Sequence, residues 1–321
     1  MPRRDRVRAR PQIAVLGIET FGEALVKRLL AAGVRVHVWS RSGGSAMYLA
    51  GLGATIYEDP RSAVSGADVV LTLLSSADAV RSVMLECSTI DALRAGAVWA
   101  QMTSIELAAI EELAIDVACR GPDIGFVDAP VVGGREAVEA GELLVLAAGP
   151  GTAIQRLEDV VADISCRTLR VGVVGSATRL KLVMTMWSSF VLEGTVEAAA
   201  LADRLGVHAS TLAEALAFGP PATSQALACL SKIERGDDIP DLTLSSAHRN
   251  ISAAVKAGGL HTVPVAGAIA RRWSELVSLG WGPLDVSAVR QSLGCRVALD
   301  EWADIAAQPS AQPFSLTTEE L

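Results

Sequence analysis

The sequence predicts a doubly wound, mostly parallel α/β sheet followed by an all-α C-terminal domain. In the first half of the chain, short apolar runs of strand length alternate with amphipathic helical patterns, and after Gly175 the strand-type runs stop. Repeated strand–helix–strand order is typical of a parallel sheet with helices on both faces. A chain of 321 residues is long enough for two such domains. We expect a sheet domain over 13–174 and a helical domain over 175–300, with tails at 1–12 and 301–321.

Each element is predicted from its local pattern. Residues 13–16 are an apolar run that predicts a buried strand, and 22–30 have the pattern of an amphipathic helix that Gly33 ends. Further strands are predicted over 34–39, 69–74, 97–100, 126–128, 143–146 and 168–171. Helices are predicted over 180–205, 211–218, 242–256 and 263–279, with Gly/Pro-containing turns at 219–221 and 236–240.

Composition and charge exclude several classes of protein. The net charge of −8 argues against a nucleic-acid enzyme, although the first ten residues are rich in arginine. No apolar run reaches the length of about 18 residues that a membrane span needs. The five cysteines are dispersed and without CxxC spacing, and the four histidines show no ligand-like pairing. These patterns predict a cytoplasmic protein without a metal site.

The first turn, at 17–22, follows the first predicted strand and opens the first helix. Gly-Ile-Glu-Thr-Phe-Gly stands where a Rossmann-type domain presents helix amides to a dinucleotide pyrophosphate, but Glu19 occupies the position of the usual middle glycine. The second strand ends in Ser-Arg-Ser at 40–42, and Arg41 offers a site for the 2′-phosphate of NADP where NAD enzymes carry an acidic residue. We therefore expect NADPH to contact Gly17, Ile18, Glu19, Thr20, Phe21, Gly22, Ser40, Arg41 and Ser42.

Lys181 is the candidate for the chemistry. Only four of the 28 basic residues are lysine, so the chain uses arginine almost everywhere that a plain surface cation would serve. A desolvated lysine can give up a proton, whereas arginine effectively cannot. The residue is therefore either a general acid beside a carbonyl or imine or a solvated lysine on a helix flank.

Five motifs follow one another along the chain, and each resembles a motif of one enzyme superfamily. The residues that carry the resemblance are Met102-Thr103-Ser104-Ile105, Asp128-Ala129-Pro130-Val131-Val132-Gly133-Gly134, Gly175 to Lys181, Arg249-Asn250-Ile251 with Ala254 and Ala257, and Asp285-Val286-Ser287-Ala288-Val289. From Ile13 to about Leu293 the chain resembles the β-hydroxyacid dehydrogenase superfamily. This superfamily includes 3-hydroxyisobutyrate dehydrogenase, glyoxylate and succinic semialdehyde reductases and, more distantly, imine reductases.

The resemblance implies roles for residues at matching positions. Lys181 matches the catalytic lysine of the family, and Thr185, on the same helical face, stands where the family has asparagine. Asp128 is a third candidate for catalysis. The resemblance further implies substrate contacts at Thr103, Val131, Val132, Gly133, Gly134, Lys181 and Thr185, and cofactor contacts at Leu74, Ser75, Thr103 and Arg249.

The departures from the family pattern lie where specificity is decided. Val132 replaces a serine whose hydroxyl binds the substrate carboxylate in related enzymes, which removes a charge-assisted hydrogen bond worth about 1.5–3 kcal/mol. The substrate is therefore expected to lack that carboxylate or to carry an apolar group, although the amides of Gly133 and Gly134 still offer an oxyanion site. Ala177 replaces a glycine and Asn250 replaces an aspartate.

These observations favour an NADPH-dependent reductase of a carbonyl or imine in a specialised metabolite, with Lys181 as proton donor. One alternative is a non-redox cyclase, lyase or isomerase, with Glu19 marking a degenerate cofactor site. Another is a noncatalytic dinucleotide sensor or chromatin-linked reader that uses the arginine-rich tail. The apolar helix at 180–205 and the resemblance together imply a homodimer, with a tetramer as the alternative and no nucleic-acid or membrane partner.

Overall fold

The computed structural model describes residues 11–19, 21–41, 43–218, 223–237 and 239–294. Almost all of the tail predicted at 1–12, and all of the tail predicted at 301–321, lie outside these ranges. Among the described residues the sheet has nine strands. They are β1 (Gln12–Leu16), β2 (Arg35–Trp39), β3 (Thr55–Tyr57), β4 (Val69–Thr72), β5 (Val98–Gln101), β6 (Gly125–Asp128), β7 (Val131–Val132), β8 (Leu143–Ala148) and β9 (Ser165–Gly172).

The strand order is that of a doubly wound sheet. The parallel strands lie in the order β3-β2-β1-β4-β5-β6, so the chain proceeds in opposite directions from β1 and from β4. Beyond them β8 runs antiparallel to β6 and β7 and parallel to β9. In such sheets ligands bind at the carboxyl ends of the strands where the order reverses. Here that point lies beyond Leu16 and Thr72, which are paired in the register of β1 and β4.

Helices connect the strands and form the C-terminal region. The sheet region contains α1 (Gly22–Ala31), α2 (Gly43–Ala50), α3 (Pro60–Val64), α4 (Ala77–Arg81), α5 (Leu107–Arg120), α6 (Arg135–Ala140) and α7 (Gly151–Val161). After β9 come α8 (Ser176–Arg204), α9 (Ala209–Phe218), α10 (Ser224–Arg235), α11 (Leu244–Gly258), α12 (Pro264–Leu276) and the short α13 (Gln291–Gly294). One π-helical turn continues α4 over Ser82–Glu86, and another continues α12 over Val277–Trp281.

Both faces of the sheet are covered. Leu25 and Leu29 of α1 pack into a core on one face, and Ile110 and Leu113 of α5 pack into a core on the other. A third core, around the fully buried Trp273, joins α8, α10, α11 and α12. The predicted parallel sheet followed by helices is therefore confirmed. No helix in the described ranges is both long enough and apolar enough to cross a membrane.

Several elements had no range in the prediction, among them β3, β7, α10 and the helices α2 to α7. The edge strand β3 and the two-residue β7 are too short to produce an apolar run, and α10 falls between the two predicted turns. The amphipathic helix α10 begins at the cap Thr223, whose Oγ1 accepts from the Ala226 N–H, and it buries Cys229 and Leu230. The amphipathic pattern and the cap of α10 were therefore available in the sequence, and the tertiary structure adds its contact with α8.

Candidate active site

The turn between β1 and α1 is held by close backbone contacts. Gly17 has φ +100°, and its N–H donates to the Trp39 carbonyl at 2.9 Å. A Cβ at Gly17 would clash with the Leu73 carbonyl oxygen, and one at Gly22 would lie 2.6 Å from the Gly17 oxygen. Both glycines are therefore required where the ends of β1, β2 and β4 meet the start of α1.

The other residues predicted around this turn differ in exposure. Ile18 and Ser40 are buried and Phe21 is half-buried, whereas Glu19 and Arg41 are exposed. The exposed Glu19 carboxylate keeps its hydration in this structure. Thr20 and Ser42 lie outside the described residues.

Thr103 links the loops that follow β4 and β5. Its Oγ1 accepts from the Leu74 N–H at 2.9 Å and lies 3.3 Å from the Thr72 carbonyl. The buried Gln101 side chain reinforces the link by donating to the Thr103 carbonyl at 2.8 Å and accepting from the Thr72 hydroxyl at 2.7 Å. The Thr103 hydroxyl thus positions two loops from within the protein. Gln101 was not among the predicted site residues, and a polar residue ending an apolar strand was the available signal.

A cleft of about 120 Å³ opens beside these loops. It brings together four of the predicted residues, Ser75, Lys181, Thr185 and Arg249. Its lining also includes residues that were not predicted as contacts, namely Ser76, Ala77, Ser104, Ile105, Glu106, Pro130, Thr178, Leu182, Asn250 and Ala253. The cleft therefore lies between the loops after β4 and β5 on one side and α8 and α11 on the other.

A larger cavity of about 320 Å³ lies between α8 and α12. Its buried acid, Glu193, already forms an ion pair with Arg272 and accepts from the Trp273 Nε1 at 2.8 Å. The charged groups of this cavity therefore satisfy one another, whereas Lys181 lines the smaller cleft.

Lys181 is half-buried on the second turn of α8. Its Nζ donates to the Val131 carbonyl at 2.8 Å. Burial lowers the pKa of Lys181 to about 8, because the charged form loses hydration. With a pKa of about 8 the side chain is mostly protonated at neutral pH but releases its proton more readily than an ordinary lysine.

Asp128 ends β6 and holds the start of α8. One carboxylate oxygen accepts from the N–H groups of Gly175 and Thr178, both at 3.0 Å, and the other accepts from the Thr178 hydroxyl at 2.8 Å. Burial raises the pKa of this carboxyl, and the hydrogen bonds from Thr178 and Gly175 oppose that rise. Asp128 is not among the residues that line the cleft.

The four residues at 131–134 differ in their exposure to solvent. Val131 is buried, and Val132 packs against an apolar cluster that includes Leu144 and Leu180. Gly133 and Gly134 are exposed, and none of these four lines the cleft among the described residues. The apolar side chain of Val132, which stands where related enzymes have serine, therefore packs against apolar neighbours. Within the described ranges, no group of three His, Cys, Asp or Glu residues is placed to hold a metal ion.

Comparisons with known proteins identify the family of the first domain. Residues 12–175 match the model of the NAD binding domain of 6-phosphogluconate dehydrogenase. Glyoxylate/succinic semialdehyde reductase 1 of Arabidopsis thaliana is 26% identical over 285 residues, covering 88% of this chain and 98% of that protein. The cytokine-like nuclear factor N-PAC of Anopheles gambiae is 26% identical over 277 residues and 85% of this chain, but the chain spans only 49% of that protein's length.

Solved structures show the same fold. A 3-hydroxyisobutyrate dehydrogenase from Salmonella typhimurium superposes with a TM-score of 0.79 at 20% identity, covering 88% of this chain and 99% of its own. An imine reductase from Myxococcus stipitatus in complex with NADP+ gives a TM-score of 0.60 at 24% identity, with coverage of 88% and 99%. Through its NAD-binding domain, the chain belongs to the β-hydroxyacid dehydrogenase superfamily.

Proposed function

We propose that the protein is an NADPH-dependent reductase of a carbonyl or imine group in a specialised metabolite. The observation that carries this proposal is Lys181, whose pKa of about 8 results from burial in a cleft next to the loops of the NAD-binding domain. A lysine in this state is suited to protonating the substrate heteroatom. The relatives that include glyoxylate and imine reductases support a reductive reaction.

The chain's own residues fit a bound NADP cofactor, which supplies a hydride to the substrate. The close-packed turn at Gly17 and Gly22 leads into the N-terminus of α1, where amides and the helix dipole favour phosphate. The exposed Arg41 follows β2 and forms no ion pair with another described residue, so its guanidinium is available for a 2′-phosphate.

Around the substrate, each lining residue has a distinct role in this proposal. Lys181 donates the proton, and the Val131 carbonyl orients its ammonium group. Thr185 lies one helical turn further on and also lines the cleft, so its hydroxyl is placed to hold the substrate or the lysine. Arg249 and Glu106 supply the charged groups of the opposite walls. The predicted contacts at Gly133 and Gly134 require a substrate that extends beyond the cleft.

We further propose a homodimer built on α8. Positions 183, 187 and 201 form an apolar stripe along one face of α8. On this stripe Val183, Trp187 and Leu201 are 59%, 64% and 59% exposed. Such side chains on one helix face are suited to pairing with a second copy. The compartment we propose is the cytoplasm, since Cys87, Cys119 and Cys166 are exposed free thiols.

Glu19 favours a second candidate, a non-redox enzyme that uses Lys181 without the cofactor. A third candidate is a noncatalytic dinucleotide sensor or chromatin-linked reader. The similarity to the cytokine-like nuclear factor N-PAC supports this candidate. Titration with NADPH, followed by cofactor fluorescence, separates the second candidate from the other two. Turnover of NADPH with a panel of aldehydes, ketones and imines then separates reductase from sensor.

The decisive variants are Lys181→Ala and Lys181→Arg, with the exposed Lys256→Ala as matched control. We expect Lys181→Ala to lower turnover by about 100- to 10,000-fold with little change in NADPH affinity, because general-acid catalysis has that size. Lys181→Arg should restore little, since the guanidinium does not release its proton. Full activity of Lys181→Ala would remove the lysine from the mechanism.

A further inference from the structure

We propose that Asp128 is a positioning residue that fixes Lys181 by holding the first turn of α8. This inference rests on the proposed function of Lys181 as proton donor. It differs from a direct catalytic role for Asp128 because the carboxylate acts through the helix and touches neither substrate nor cofactor.

The contacts of Asp128 account for its whole carboxylate. The residue is 1% exposed, and its two oxygens receive three hydrogen bonds, from the Gly175 N–H, the Thr178 N–H and the Thr178 hydroxyl. Those donors belong to the start of α8, whose first amides have no partner within the helix. The carboxylate therefore satisfies the helix end and has no oxygen left without a donor.

Lys181 forms a second contact between α8 and the loop that follows β6. Thr178 and Lys181 lie three residues apart on one face of α8. Thr178 binds Asp128, and Lys181 donates to the carbonyl of Val131, three residues after Asp128. The loop after β6 therefore contacts α8 at two positions, Thr178 and Lys181, which are nearly one helical turn apart.

The loop itself is fixed to the sheet. Val131 pairs with Val145 in the register of β7 and β8, and the Leu146 N–H donates to the Pro130 carbonyl at 3.0 Å. Pro130 and Thr178 both line the cleft. Because the loop is fixed to the sheet, its contacts also fix where the ammonium group of Lys181 lies relative to β6.

Loss of the anchor should change Lys181 in a measurable way. An amide at position 128 keeps one accepting oxygen for the N–H groups of Gly175 and Thr178, but its NH2 group can only donate, so the Thr178 hydroxyl must turn from donor to acceptor and the charge-assisted hydrogen bonds are lost. A loosened first turn admits water to Lys181. Since desolvation is what lowers the pKa of Lys181, that pKa should rise. The other titratable groups that line the cleft are Glu106 and Arg249, and none of the variants below changes them.

The test measures the pKa of Lys181 without any substrate. NADPH-free protein is treated with trinitrobenzenesulfonate across a pH series, and the rate at each lysine is read by peptide mass spectrometry. The exposed Lys256 serves as internal standard. We expect Asp128→Asn to raise the pKa of Lys181 by about one unit or more, and Thr178→Val, which removes only the hydroxyl bond, to raise it less. Thr178→Ser should retain the native pKa, and Asp123→Asn, at an exposed aspartate just before β6, should leave it unchanged.

Turnover supplies the second readout. We expect Asp128→Asn to lower kcat by about 100-fold, the cost of a misplaced catalytic group, with KM for NADPH within about twofold because the cofactor turn is untouched. An unchanged pKa of Lys181 in Asp128→Asn, with or without loss of turnover, overturns the positioning role. If Asp128→Asn fails to fold, Thr178→Val decides the same question. A native protein that titrates Lys181 near 8 but reduces nothing contradicts the proposed function instead, and the lysine titration still decides the role of Asp128.

Discussion

The Nζ atom of Lys181 lies 2.8 Å from the carbonyl oxygen of Val131. A neutral amine keeps two N–H donors, so this hydrogen bond can persist after the ammonium group has released a proton. The contact therefore holds the nitrogen in one orientation through both protonation states. It links the reactive group of α8 to the loop that follows β6.

The first prediction concerns pH. Burial lowers the pKa of Lys181 to about 8, and only the protonated form is a general acid, so kcat/KM for reduction should fall as pH rises through about 8. The residual kcat/KM of Lys181→Ala should not show this fall between neutral and alkaline pH. A fall near the ordinary lysine value of about 10.4 would instead indicate that Lys181 is hydrated in the working enzyme.

Arg41 should decide between the two nicotinamide cofactors. We expect NADPH to bind at least about tenfold more tightly than NADH, a difference of about 1.4 kcal/mol, because the guanidinium can hold the 2′-phosphate. Arg41→Ala should remove most of that preference and leave NADH binding nearly unchanged, as measured by fluorescence titration. Arg35→Ala, at the other end of β2, is the control. An equal loss for both cofactors would make Arg41 a structural residue.

Glu19 should be nearly neutral toward the cofactor. A carboxylate about 4 Å from a phosphate oxygen would cost about 4 kcal/mol at an effective dielectric near 20, but Glu19 is exposed and can stay away from that position. Glu19→Gly should therefore tighten NADPH by well under about tenfold, or 1.4 kcal/mol. If the native protein binds no NADPH and Glu19→Gly binds it tightly, the non-redox candidate becomes the better proposal.

Trp187 should be central to the dimer. Replacing a large exposed aromatic residue on the α8 stripe with glutamate places a charge in the interface, so Trp187→Glu should weaken self-association by about 2 kcal/mol or more. Light scattering over a concentration series measures the change. Ile115→Glu, at an equally exposed apolar residue of α5, should associate like the native protein. A native protein that stays monomeric at micromolar concentration contradicts the proposed assembly.

Arg272 should stabilise the helical core through Glu193. Arg272→Met leaves the buried Glu193 carboxylate without its cation, which should lower the free energy of unfolding by about 3 kcal/mol. Burial raises the pKa of Glu193 above its unfolded value, so this cost is present at neutral pH and decreases as pH falls through the raised pKa. Urea titrations at neutral and acid pH test this. Arg271→Met, at the exposed neighbour, should change stability by less than about 0.5 kcal/mol.

Local pattern was sufficient for much of the fold. Apolar runs predicted β1, β2, β4, β5, β6 and β8 to within a few residues, because buried strands need continuous apolar side chains. The mostly exposed β9 was predicted over its second half. Helical periodicity likewise placed Lys181 and Thr185 on one face of α8, and both line the cleft.

Long-range contacts decided the rest. Asp128 finds its partners 47 and 50 residues further along the chain, and Thr103 finds the Leu74 amide 29 residues before it, distances over which a sequence period carries no information. Whether Val132 faces a substrate or the apolar cluster at Leu144 depends on how β7 pairs with β8. The pKa of Lys181 likewise depends on burial, and burial exists only once α8 has packed against the loop after β6. The sequence by itself therefore determined the order of the strands and helices and singled out Lys181 as the candidate residue. The tertiary structure decided which groups surround Lys181, because desolvation and hydrogen-bond partners are properties of packed chains.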